Sequence, residues 1–92
     1  MSEMTTIRSI QNERVKQVAR LQRQSSFRRK TRRFCIEMQR DYARAVDAGL
    51  TPEAIYIHEK CDPDELLPRQ PAEVPMHRVG DNVLKKISYR EN

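Results

Sequence analysis

Short apolar runs that alternate in period along the chain predict an α/β domain, a small α/β/α sandwich with a short, mainly parallel sheet. Three observations carry that expectation. Segments with helical spacing of apolar residues (15–21, 38–46 and 83–87) alternate with runs of strand formers (34–36, 54–58 and 74–79). The connections are short and marked by Pro or Gly. The 92 residues, 37% of them apolar, suffice for one core and leave no room for a second, so residues 1–92 read as one domain.

The first helix is capped by Ser9 or Asn12, and Val15, Val18 and Leu21 recur along it every three residues. Its other faces carry Arg14, Lys16, Gln17, Arg20 and Gln22. Gln24-Ser25-Ser26 breaks the pattern, and 25–32 reads as a polar, basic loop. Phe34-Cys35-Ile36 reads as a first short strand, left at Glu37. Met38, Tyr42, Ala45 and Val46 then mark a second helix, with Gly49 placed for a left-handed C-terminal cap. Leu50-Thr51-Pro52-Glu53 turns the chain into a second strand, Ala54–His58. Strand, helix and strand with a short return make a βαβ unit and hence a parallel pair. Asp62-Pro63-Asp64-Glu65 is a compact helix start, which Pro68 limits to one or two turns. Val74–Val79 is a third strand, shortened by Pro75. Gly80-Asp81 opens a last helix with Val83, Leu84 and Ile87 inward and Lys85 and Lys86 outward.

Charge is divided unevenly. The net charge of +5 splits into +8 over residues 1–44 and −3 over 45–92. Between residues 14 and 33 there are nine cations, mostly arginine, and no acid. Such crowding is repulsive until an anion neutralises it, and guanidinium groups match phosphate oxygens in bidentate geometry. The pattern therefore points to nucleic acid; the competing reading is a solvated basic loop without a partner. A membrane surface fits less well, because no run approaches the length of a span and the basic segment has no apolar face. The N-terminus carries no secretory pattern, so the expected location is cytoplasmic.

A search for chemistry is mostly negative. Gly49 and Gly80 are the only glycines, and neither belongs to a phosphate-binding loop. Cys35 and Cys61 form no CxxC, so neither a disulfide framework nor a cysteine zinc site organises the chain. His58 and Cys61, three apart, are read as structural, as is His77, and Cys35 is read as a small core residue. Tyr42 and Tyr56 are expected in the core. Glu37 and Arg40 share one face of a first helical turn, either as a local ion pair or with Arg40 joining Arg32 and Arg33 in a phosphate-binding edge. Phe27, between cations, is placed either to stack on an unpaired base or to anchor the loop.

Ile7-Arg8-Ser9-Ile10-Gln11-Asn12 followed by Val15-Lys16 and Leu21 resembles the opening of the SpoU (TrmH-type) RNA 2′-O-ribose methyltransferases. The arginine run into Phe34-Cys35-Ile36-Glu37, then Arg40, Ala45 and Gly49, is similar to that family's strand–helix signature. Ile55-Tyr56-Ile57 and the closing stretch from Val83 through Ser88 to Asn92 continue the resemblance over nearly the whole chain. It implies an N-terminal substrate-binding domain, similar in fold to ribosomal proteins that bind kink-turn RNA. It also implies that S-adenosylmethionine and the catalytic residues belong to a separate methyltransferase domain absent from this chain, which would end near the start of the small domain's last strand. Met38 departs from the pattern, since the family usually has Gly there; the expected consequence is an altered RNA contact at that turn with the fold intact.

The expectation is thus an RNA-binding domain that delivers rRNA or tRNA to a catalytic domain, with a homodimer forming through the parent protein. Arg28, Arg29, Lys30, Arg32, Arg33 and Arg40 are the candidate phosphate contacts, with Arg14 and Lys16 secondary. No cofactor is expected in this chain. The competitor from another class is a protein-interaction or dimerisation module whose basic half docks on an acidic partner. An independent enzyme has no nucleophile, base or metal constellation to carry it.

Overall fold

The computed structural model describes residues 6–66 and 73–88. The expectations placed on Pro68 and on Tyr89–Asn92 lie outside those residues. Helices α1 (Glu13–Arg23), α2 (Ser25–Thr31) and α3 (Gln39–Asp47) come first. Strand β1 (Ile55–His58), the single turn α4 (Pro63–Leu66), strand β2 (Met76–Val79) and helix α5 (Asp81–Ile87) follow. The architecture is a small α/β/α arrangement about a parallel two-stranded sheet in the order β1-β2.

The sheet pairs Ile55 with Met76, Tyr56 with His77, Ile57 with Arg78 and His58 with Val79. Side chains alternate across a pleat, so Tyr56 and Val79 share one face while Ile57 and Arg78 share the other. On the first face Val79 meets Val15 of α1 and Val83 and Ile87 of α5, with Ile7, Val18 and Tyr56 packed around them. Val15, Val79 and Val83 are fully buried. On the second face Ile57 is buried, and Arg78 donates to the carbonyls of Glu59 and Cys61 at 3.1 and 3.3 Å, tying down the loop after β1. Beyond β2 the chain start adds one rung: Ile7 N–H donates to Arg78 O at 2.8 Å and Gly80 N–H to Ile7 O at 3.0 Å. A single rung has no alternation to read in a sequence, which is why this pairing was not anticipated.

Local chemistry accounts for the helix ends. Asn12 caps α1, its Oδ1 accepting from Arg14 N–H at 2.9 Å and from Val15 N–H at 3.4 Å. At the end of α3, Gly49 N–H donates to Val46 O and Leu50 N–H to Ala45 O, both at 3.0 Å, which is a Schellman cap. Gly49 takes φ +92° there, a region open to glycine and costly for other residues. Asp62 Oδ1 accepts from Asp64 N–H at 3.0 Å and starts α4.

Four expectations are corrected. Residues 25–31 are helical, not a loop. Helix α2 buries no residue of its own and so has no apolar period; side chains hold it instead. The Arg20 guanidinium lies 4.1 Å above the Phe27 ring, and Arg28 reaches back to the carbonyls of Leu21 and Gln22 at 2.7 and 3.2 Å. Residues 34–36 are not a strand of the sheet. The segment is tethered by Arg33 to Glu53 at 2.9 Å and by Cys35 Sγ at 4.0 Å from Val18 O of α1, without joining the ladder. The parallel pair is therefore β1 with β2, linked through α4, and not a unit built across α3. Leu84, expected inward, is 37% exposed, because α5 turns only Val83 and Ile87 fully into the core.

Candidate nucleic-acid interface

The cations predicted to meet phosphate divide by what already holds them. Arg28 is committed to the fold, since its two carbonyl contacts satisfy acceptors that the end of α1 leaves open. Arg14 lies against the Tyr56 hydroxyl, where its charge opposes the rise that burial imposes on that phenol. Arg33 is paired with Glu53, both side chains remaining well exposed. Arg29, Lys30, Arg32, Arg40 and Lys16 are exposed, and no ion pair among the described residues holds them. Arg29, Lys30, Arg32 and Arg33 fall within one turn of helix and its exit, so they share one end of α2. Arg40 stands apart, in the first turn of α3.

Arg32 has an unusual backbone. It ends α2 in the left-handed region at φ 57° and ψ 40°. A non-glycine residue there costs about 1–2 kcal/mol, and such strain gathers at sites where a side chain must be aimed. The turn is closed by Arg33 N–H donating to Arg28 O at 3.2 Å.

Between α2 and α3 the extended segment 33–38 opens a groove of about 400 Å³. Arg28, Glu37 and Asp41 line it, and Phe34, Ile36 and Met38 supply its apolar surface. Phe34 is 61% exposed and Met38 56%. Sequence reasoning placed Phe34 in a strand and did not find it; the signal available was that its run is only three residues long and enters directly from the arginine cluster. Phe27, the aromatic weighed for base stacking, is instead covered by Arg20 and anchors α2 to α1. Met38 has φ −88° and ψ 139°, an ordinary extended conformation, so this backbone does not require glycine at the turn. Cys35 is half-buried, and its thiol pKa is raised, first by burial and then by the Glu37 carboxylate, against the opposing charge of Arg28.

The other polar clusters belong to the fold. His58 accepts from Lys60 N–H through Nδ1 at 3.2 Å, which leaves Nε2 to donate to Asp81 Oδ1 at 2.6 Å and tie β1 to the start of α5. His77 stacks on Tyr56 with ring centroids 5.1 Å apart, and burial, then the charge of Arg14, holds its pKa below the ordinary value. Among the described residues no group of three or more His, Cys, Asp or Glu side chains could hold a metal ion. No described helix is long and apolar enough to cross a membrane.

Comparison with curated proteins finds no significant match. The family model for the MRM3-like substrate binding domain matches residues 12–92. That span takes in α1, the arginine-rich α2, the groove and the whole sheet. The chain therefore belongs to the MRM3-like substrate binding domains, the RNA-recognition part of SpoU/TrmH-type RNA methyltransferases.

Proposed function

We propose that this chain, a single substrate-binding domain over residues 1–92, grips structured rRNA or tRNA through the exposed end of α2 and presents it to a separate catalytic domain. Arg29, Lys30, Arg32 and Arg33 make the main phosphate contacts, with Arg40 and Lys16 extending the surface. Arg28 contributes by holding α2 in place, and Arg14 adds its charge from beside Tyr56. The observation that carries this reading is the set of exposed cations, Arg29, Lys30, Arg32 and Arg33, at the end of a short helix that has no fully buried residue. A helix with no core residue gains little from the fold and is available to a ligand. Phosphate contacts of this kind give affinity and orientation with little sequence discrimination. Choice of nucleotide then falls to the catalytic domain.

By the family resemblance, S-adenosylmethionine serves that catalytic domain, and homodimerisation and a cytoplasmic location belong to the parent protein. The described residues do not fit the cofactor: the groove is open and neither Gly49 nor Gly80 lines it, so no backbone cradle is formed there.

Exchanging Arg32 and Arg33 for Glu tests the reading. Affinity for an rRNA or tRNA fragment should fall, and the slope of log affinity against log salt should flatten by about one to two. Unchanged affinity would remove the assignment. A tight dimer without RNA affinity in sedimentation would favour the protein-interaction module instead.

A further inference from the structure

We propose that the groove between α2 and α3 is a nucleobase subsite, in which an unstacked base of the bound RNA lies on Phe34; this rests on the RNA-binding reading above. Four observations carry it. Phe34 is 61% exposed, more than any other aromatic side chain among the described residues, and it follows directly on Arg32 and Arg33. A strand anchored in a sheet would bury such a ring; here the segment leaves the ladder and presents it. Ile36 and Met38, 38% and 56% exposed, line the same groove and continue its apolar surface. The groove beside them, about 400 Å³, is open to solvent.

Charge decides which part of a nucleotide enters. The groove is lined by the carboxylates of Glu37 and Asp41 against one cation, Arg28, whose Nη1 is already held by the carbonyls of Leu21 and Gln22, so the lining does not favour a phosphate. The uncompensated cations lie outside it, at the end of α2. The backbone of the RNA is thus held along Arg29, Lys30 and Arg32, while the uncharged base turns inward onto Phe34. Stacking on a π-face adds affinity that salt does not screen, unlike the phosphate contacts. The RNA chemistry recognised is therefore a phosphate backbone carrying an unpaired nucleotide, such as a loop or bulge, rather than an uninterrupted duplex.

The test uses the 92-residue chain with two probes: an RNA hairpin carrying 2-aminopurine in its unpaired loop, and a fully paired RNA duplex of equal length. The expected result is that Phe34→Ala loses roughly tenfold in affinity for the hairpin and abolishes quenching of the 2-aminopurine, with its salt slope unchanged. Phe34→Tyr, which keeps the ring, should retain both, and binding of the duplex should be the same in all three proteins. If the unaltered chain binds the hairpin and Phe34→Ala binds it equally well, the subsite is overturned while the RNA-binding reading stands. If Phe34→Ala instead dissociates a dimer without changing RNA affinity, the apolar platform is a protein contact and the subsite is again overturned. If the unaltered chain binds neither probe, the RNA-binding reading fails and the subsite with it.

Discussion

The α1–sheet–α5 region and the α2 region use the same residue type for opposite ends. In the first, arginine serves the fold: Arg8 meets Glu59, Arg23 reaches Lys86 O at 3.1 Å, and Arg78 holds two loop carbonyls. Around it Val15, Val79 and Val83 are sealed from solvent. In the second, α2 buries nothing, and one arginine, Arg28, anchors it so that its neighbours can remain in water. A carbonyl-bound guanidinium has part of its donor set fixed toward the fold, as Arg28 and Arg78 have Nη1, whereas an exposed one keeps all five N–H groups for a phosphate. A run of arginines is therefore not a binding site as a whole, and its members must be sorted by what their donors already do.

Five substitutions sharpen that contrast. The largest effect belongs to the core: Val79→Ala should cost about 2–3 kcal/mol in urea unfolding, because it leaves a cavity where α1, α5 and β2 meet. RNA affinity of the fraction that stays folded should not change, and a small cost would show that this region is not the stabilising centre. Arg28→Ala comes next, at about 1–2 kcal/mol, since two carbonyls at the end of α1 lose their donor. Its salt slope with RNA should stay within about half a unit of the original, whereas Arg29→Ala should lower the slope by about one and leave stability unchanged. Equal behaviour of the two variants would erase the distinction.

Arg32→Gly separates fold from function at one residue. Glycine accepts the left-handed backbone, so relief of strain offsets its greater freedom when unfolded, and stability should stay within about 1 kcal/mol of the original. RNA binding should nevertheless weaken by the loss of one phosphate contact, as a filter-binding titration would show. Glu53→Gln has the smallest expected effect. The Arg33–Glu53 pair is exposed on both sides, so its loss should change stability by less than about 1 kcal/mol. Freed from its carboxylate, Arg33 should bind RNA somewhat more tightly at low salt, and a weaker complex would show that the pair positions Arg33 for the ligand.

Legibility in the sequence followed the amount of local signal. Asn12, Gly49 and Asp62 each act within a few residues of themselves, and each capped the element expected of it. Helices α1, α3 and α5 and strands β1 and β2 declared themselves through apolar period. Helix α2 did not, because Phe27 is its only apolar side chain and it is held by Arg20 from a different helix. The groove was equally hidden, as its lining comes from α1, α2, α3 and the segment between them.

Charge is additive along a chain, so the basic half, its acid-free run and the affinity for a polyanion were all present in the order of the amino acids. Which arginine is bound to a carbonyl, which aromatic ring faces water and which apolar run joins the ladder depend on distances between residues far apart in that order. Phe34-Cys35-Ile36 has the composition of a strand, yet in the fold Arg33 meets Glu53 and Cys35 leans on α1 while β1 takes β2 as its partner. Hydrogen-bond partners and burial are properties of pairs in space, and only the folded chain brings those pairs together.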